Sequence, residues 1–400
     1  MQSQKRHQDV QEIKPDIETF AQIKVVGVGG SGGAAIDRMI SDQIRGVEFI
    51  AVNTDAQALH HSKAQVKVHI GKTTTRGLGA GMDPDMGRKA AEENNEELHE
   101  LLKGSDMVFI TCGLGGGTGT GASPVVSQIA KEVGALCVAV VTKPFNFEGA
   151  QRRQIAEHGL AELQDQVDTI ITIPNDRILQ IIDKKTSLLE AFQTVDDVLR
   201  QGVQGISDLI TIPGLINVDF ADVKAIMANA GSALMGIGNA TGENRAVEAA
   251  KKAIDSPLLE LSIDGAKGIL FTITGGNSLS MYEVNEAARV ITSSADPNAK
   301  VIFGANVDEA LKDEIRITVI ATGFAQGEKR KQVKKIVPSF RDSSPFDERP
   351  LSEPSPKQEK PKFSSRPMPK EDLSTPAYPQ ADQKPEEDLD IPAFIRKKMM

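Results

Sequence analysis

Residues Gly115-Gly116-Gly117-Thr118-Gly119-Thr120-Gly121 constrain this chain more than any other stretch. The apolar run Met107-Val108-Phe109-Ile110-Thr111 precedes them and reads as a buried strand. Pro124 to Ala130 follows and reads as a helix. A glycine loop between strand and helix brings bare backbone N–H groups to a helix N-terminus, where the dipole and the unpaired donors both favour anions. Thr118 and Thr120 add hydroxyl donors. An ordinary turn needs only one or two glycines, and each further one costs about 0.5–1 kcal/mol of chain entropy. Phosphate is therefore the expected ligand. The pattern Gly-x-x-x-x-Gly-Lys-Ser/Thr occurs nowhere, so the loop is not a P-loop.

A second glycine loop lies upstream. Ile23-Lys24-Val25-Val26 reads as a strand, Gly27 to Gly33 as a loop, and Ala34 to Ile44 as a helix. Gly27, Gly29 and Gly32 satisfy Gly-x-Gly-x-x-Gly, and Asp55 falls near the spacing of a ribose-binding carboxylate. Alone, this unit suggests a dinucleotide-dependent oxidoreductase. A dinucleotide domain, however, has no use for a second loop as glycine-rich as 115–121. Two cradles at the ends of two strands suit one nucleotide with a long phosphate chain. Gly71 to Gly87 offers a third loop, whose Thr75 and Arg76 either close over phosphates or sit on a mobile surface.

Composition narrows the class. Net charge is −9, with 40% hydrophobic and 25% charged residues, no Trp and two Tyr. No basic field exists to displace counterions, so nucleic acid is not an expected partner. No run of 18 apolar residues suggests a membrane span, and the polar first residues carry no apolar signal core. Cys112 and Cys137 lie in apolar runs and read as buried small hydrophobes in a reducing cytoplasm.

Candidate strands at 23–28, 48–52, 67–70, 107–112, 135–141 and 169–173 alternate with amphipathic stretches such as 84–103 and 149–166. This is the pattern of an α/β, doubly wound parallel sheet. Residues 176–205 read as a long connecting helix. Apolar runs at 267–274, 300–306 and 315–322, with helices near 219–229, 243–255 and 280–294, suggest a smaller α+β domain. From about Glu328 the chain turns to Pro, Ser, Lys, Glu and Gln, a composition that cannot offset ordering entropy. Apolar character returns at Asp388 to Lys398.

The Gly115–Gly121 loop, with blocks elsewhere, resembles the tubulin/FtsZ family, its bacterial members in particular, over nearly the whole chain. The other blocks are Asn53-Thr54-Asp55, Thr75 to Gly81, Pro144 to Gly149, Ile173 to Asp176, Asn217 to Val223, Gly231 to Gly238 and Asp390 to Phe394. The resemblance implies a disordered extension (1–20), a GTP-binding domain (21–182), a central helix (183–205), an activation domain (206–328), a disordered linker (329–386) and a docking peptide (387–400). It implies GTP with Mg²⁺ bridging phosphate oxygens. Gly29, Gly30, Ser31, Gly32, Gly33, Ala34 and Asn53 would form one side of the site, and Gly116, Gly117, Thr118, Gly119 and Thr120 the other. Where the family pattern reads Gly-Gly-Asn-Asn, this chain has Ser31-Gly32-Gly33-Ala34, so the polar network there must differ while backbone contacts survive.

Glu148 and Arg152 are four apart at a helix start and share a face. They form either an ordinary ion pair or, by resemblance, contacts to ribose and phosphate. By the same match, Asn175 and Asp196 would read guanine, since a carboxylate accepts from both the N1 and N2 donors. Phe192, one turn before Asp196, either stacks on the base or fills the core. Asn217, Asp219 and Asp222 read as caps of a helix beginning at 219. The resemblance instead assigns them to catalysis on the nucleotide of the next subunit in a head-to-tail filament. It further implies a cytoplasmic protein at the midcell division ring. The peptide Asp388–Lys398 would dock membrane adaptors and assembly regulators, with no segment inserting into the bilayer itself.

Overall fold

The computed structural model describes residues 21–324, apart from 181, 184, 213 and 258–261. The expectations for 1–20 and for the linker and docking peptide lie outside the described residues. In chain order the first half holds β1 (Ile23–Val28), α1 (Gly29–Ser41), β2 (Val47–Asn53), α2 (Ala56–His61), β3 (Val66–His69), α3 (Lys72–Thr75), α4 (Pro84–Glu93) and α5 (Asn95–Leu102). It continues through β4 (Met107–Gly113), α6 (Thr118–Glu132), β5 (Leu136–Lys143), α7 (Ala150–Gln166), β6 (Thr169–Pro174) and α8 (Asn175–Ile178). The second half holds α9 (Leu188–Thr211), α10 (Phe220–Met227), β7 (Gly231–Thr241), α11 (Arg245–Ile254), β8 (Gly268–Gly275), α12 (Met281–Ser293), β9 (Lys300–Val307) and β10 (Glu314–Thr322).

The strands form one sheet in the order β3-β2-β1-β4-β5-β6-β7-β10-β8-β9. From β3 to β6 every pairing is parallel, with Gly27 of β1 opposite Ala51 of β2 and Thr111 of β4. Neighbouring residues of β1 bury opposite faces: Val25 packs with Ile36 and Met39 of α1, whereas Val26 packs in the layer that holds Val126 and Ile129 of α6. Both faces are covered, so the strands read as continuous apolar runs. β7 joins β6 in parallel through Gly231–Ala233 and runs antiparallel to β10. The α+β half thus extends the same sheet.

Several elements depart from the sequence reading. β7 was not expected, because four of its first eight positions are Gly or Ala. Its glycines are packing residues: a Cβ on Gly236 or Gly238 would run into the Ala253 or Ala249 carbonyl oxygen of α11. The expected helix 84–103 breaks at Asn94, whose Oδ1 accepts from Gly71 N at 2.9 Å and whose Nδ2 donates to Glu97 at 2.8 Å. The long helix starts at Leu188 and runs to Thr211, later at both ends than 176–205. Ser187 and Glu190 cap it reciprocally, Glu190 N donating to Ser187 Oγ at 3.2 Å and Ser187 N to Glu190 Oε2 at 2.8 Å. Finally, both glycine stretches are largely helical: α1 begins at Gly29 and α6 at Thr118, with Pro124 inside it. Tertiary packing overrides glycine's poor helix propensity there.

Candidate nucleotide site

The N-termini of α1 and α6 stand side by side at the C-terminal ends of β1 and β4, where a doubly wound sheet binds ligands. Each presents first-turn N–H groups without intrahelical partners. The glycines here fall into two sets. Gly29, Gly32, Gly117 and Gly119 permit close approach of neighbouring backbone. A Cβ on Gly32 would strike the Thr111 carbonyl, one on Gly117 would stand 2.8 Å from Asp83 N, and one on Gly29 2.9 Å from Gly119 N. Gly29 also has φ +74°. Gly30 and Gly116 are different, since a Cβ on either would meet nothing within 4 Å. Both line a cavity of ≈330 Å³. Protein packing does not demand these two glycines; the space in front of them does.

Hydroxyls brace this mouth. Ser31 Oγ accepts from Gly113 N at 2.7 Å, tying α1 to the end of β4. Thr118 Oγ1 pairs with Thr54 Oγ1 at 2.6 Å. Thr120 Oγ1 accepts from Gly115 N at 2.9 Å and is buried away from the cavity. Thr118 and Thr120 thus make hydroxyl contacts inside the protein, and Thr118 also lines the cavity.

The opposite wall comes from β5, β6, α7 and α9. Phe192, Val195, Asp196 and Leu199 form one stripe of α9 facing the cavity. Phe192 stays 40% exposed, with its ring edge-on to Phe145 at 5.6 Å. Burial pushes the Asp196 pKa up to about 6, against the pull of Arg38. Asn175 is buried, lines the cavity, and its Oδ1 makes no hydrogen bond. Glu148 accepts from Phe145 N at 2.9 Å and from Arg152 Nη1 at 2.7 Å, so the pair is a formed ion pair that also lines the cavity. Thr142, Pro144, Val195 and Leu199 complete the wall. The last two were legible as helical neighbours of Phe192 and Asp196.

A roomier groove of ≈830 Å³ lies between α4, α6 and α7, lined by Arg88, His158 and Glu162. It has no helix N-terminal glycines, and the Arg88–Glu162 bridge at 2.6 Å spans it. The chemistry points to the smaller cavity.

The family model described as Tubulin/FtsZ family, GTPase domain, matches residues 22–183, and that of the FtsZ family C-terminal domain matches 231–325. A solved empty FtsZ dimer from M. jannaschii is 49% identical, with a TM-score of 0.74 over 76% of this chain and 89% of that one. CetZ2 from Haloferax volcanii, solved as a GTPgS-bound protofilament, is 22% identical with a TM-score of 0.66 over 77% and 94%, and speaks for the fold alone.

The chain belongs to the tubulin/FtsZ family. It is a GTPase of that family, and the dinucleotide reading finds no support. Asp55, the residue that suggested it, accepts from Gln57 N at 2.8 Å and Ala58 N at 3.2 Å as the cap of α2. Thr75 does not reach over the cavity either. It is buried, and its hydroxyl donates to the Gly71 carbonyl at 3.0 Å. Gly87 lies within α4, packed on the Gly117 carbonyl.

Other tubulin/FtsZ site candidates lie off the main cavity. Gly33, Ala34 and Asn53 line a neighbouring one of ≈180 Å³ that shares Gly30. Asn217, Asp219 and Asp222 are exposed beyond the C-terminus of α9 and line none of this cavity. Asp219 Oδ1 accepts from Asp222 N at 2.8 Å as the cap of α10, and Asn217 Oδ1 accepts from Gly214 N at 2.6 Å. Both thiols are buried, and burial pushes Cys112 up to about 11 and Cys137 up to about 12. No helix among the described residues is long and apolar enough to cross a membrane.

Proposed function

We propose that this GTPase assembles head to tail, each active site being completed by the next subunit. The observation that carries this is the placement of the acidic loop. α9 has 24 residues, which at 1.5 Å per residue span about 36 Å. Phe192, Asp196 and Leu199 line the cavity from its first half, and Asn217, Asp219 and Asp222 lie beyond its end, so its second half, about 18 Å, stands between them. One chain therefore cannot bring these carboxylates to its own nucleotide. Exposed apolar residues mark both ends: Leu78 (85%), Phe147 and Leu189 around the cavity, Ile212 and Leu215 (68%) beside the acidic loop. A contact between unlike ends does not close, so it propagates as a filament.

GTP suits the cavity, with phosphates on the N-termini of α1 and α6 and the base beside Phe192, Asn175 and Asp196. Among the described residues no group of three or more His, Cys, Asp or Glu is placed to hold a metal ion. Mg²⁺ would be held by substrate phosphates and water with one or two carboxylates, Asp219 and Asp222 of the following subunit helping, and would neutralise phosphate charge. Asp219, Asp222 and Asn217 of the following subunit would orient the attacking water, since phosphoryl transfer needs mainly positioning and charge management. Organisation of a division ring in the cytoplasm, with adaptors and regulators docked on Asp388–Lys398, is the cellular role we infer from the family. GTP hydrolysis measured against protein concentration tests the shared site. Specific activity should rise steeply above a threshold; a constant value on dilution would overturn it.

A further inference from the structure

Arg38 lies on α1 one turn before Asp42, and Asp42 meets Arg200, one turn after Asp196 on α9, at 3.0 Å, so Arg38 and Asp196 face the same helix contact. Its Nε is buried and makes no hydrogen bond. Across the helix contact, Asp196 forms part of the cavity wall. The other charged groups nearby are already engaged. Asp37 accepts from Ser62 Oγ at 2.8 Å and Lys63 N at 2.6 Å. Asp42 and Asp197 hold Arg200 at 3.0 and 2.7 Å, and Glu148 holds Arg152 at 2.7 Å. Arg38 is left as the cation whose charge acts on Asp196.

We propose that Arg38 is a positioning residue for base recognition: its guanidinium keeps the Asp196 carboxylate ionised in a desolvated wall, so that guanine's N1 and N2 donors meet an acceptor at neutral pH. This rests on Asp196 being the base reader. The physical need is clear. Burial by itself disfavours the carboxylate and already pushes its pKa up to about 6 with Arg38 in place. A protonated Asp196 would turn an O–H donor towards the donor edge of guanine. Affinity for guanine is therefore full above the folded-state pKa and is lost as pH falls through it. Adenine, with an acceptor at N1, gains relative to guanine over the same range, so base selectivity narrows on acidification.

The test is GDP affinity of the full chain between pH 5 and 8.5, for wild type, Asp196→Asn, Arg38→Gln and Arg38→Lys. GDP avoids hydrolysis, and the Asp196→Asn profile reports the ligand's own titration. Wild type should lose about tenfold per pH unit below about pH 6, relative to Asp196→Asn. Arg38→Gln should move that midpoint up by about one unit, weaken binding about twofold at pH 7 and about tenfold at pH 5, and regain wild-type affinity by pH 8.5. Arg38→Lys, which retains a cation, should stay closer to wild type. Arg38→Met, which keeps the apolar stem, is a second neutral variant should the glutamine chain fail to fold. An Arg38→Gln or Arg38→Met profile with the wild-type midpoint, or a loss that high pH does not restore, overturns the role of Arg38. Identical pH profiles for wild type and Asp196→Asn would instead remove Asp196 as the base reader, and the proposal with it.

Discussion

At the amino end of α9, the cavity wall is tied across the fold. Ser31 is fixed by Gly113 and Thr118 by Thr54, while Glu148 is paired with Arg152 one helical turn on. At the carboxyl end, Asn217 and Asp219 hold only their own loop, and Asp222 is exposed. A site preorganised within one chain can bind its ligand as a monomer. A loop whose carboxylates face solvent gains an electrostatic role only when something docks against it. The difference implies that binding and hydrolysis are separable functions of the two ends.

The sharpest way to break that separation is Asp222→Ala. Turnover should fall by about 10²-fold or more, the cost of losing one group aligned on a transition state, while GDP affinity holds. Mixed with wild type, the variant should depress activity beyond simple dilution if each filament site draws on two chains as proposed. Normal hydrolysis by the variant would return the loop to a purely structural role.

A second test lies within the amino end. Gly32→Ala drives a Cβ into the Thr111 carbonyl, an overpacking that costs about 1–3 kcal/mol and should lower the melting temperature. Gly116→Ala adds its methyl to open space, so stability should hold while GDP affinity drops by about tenfold, equivalent to about 1.4 kcal/mol. Equal melting temperatures for the two variants would erase the distinction between packing glycines and site glycines.

The smallest effect sharpens the carboxyl end. Asp219→Ala removes the cap of α10 and should cost about 1 kcal/mol in denaturant unfolding; Asp222→Ala, which contributes only its backbone N–H to that cap, should cost less. A reversed order would mean that Asp222, not Asp219, stabilises the helix start.

Much of the site was legible because its chemistry depends on local backbone. Glycine stretches after apolar runs mark the ends of β1 and β4 whatever surrounds them. The parallel core was legible for the same reason, since strands buried on both faces need unbroken apolar runs. β7 was not, because its Gly236 and Gly238 answer to the carbonyls of α11 and leave no strand signal of their own. The start of α9 was written in Ser187-x-x-Glu190, a capping box obscured by the apolar residues before it. Thr118 and Thr120 read as phosphate donors, since sequence says that a hydroxyl is present and not which way it turns.

The sequence by itself determined the alternating strands and helices of the parallel core, the two glycine-rich helix starts and the residue types that line the cavity. These follow from propensity, periodicity and backbone freedom, which act over a few neighbouring residues. Only the tertiary structure decided which glycines serve packing and which face open space, where Arg38 stands relative to Asp196, and that the acidic loop lies beyond the far end of α9 from the cavity. Those facts depend on which segments meet across the sheet, and contact between residues far apart in the chain is set by packing of the whole core.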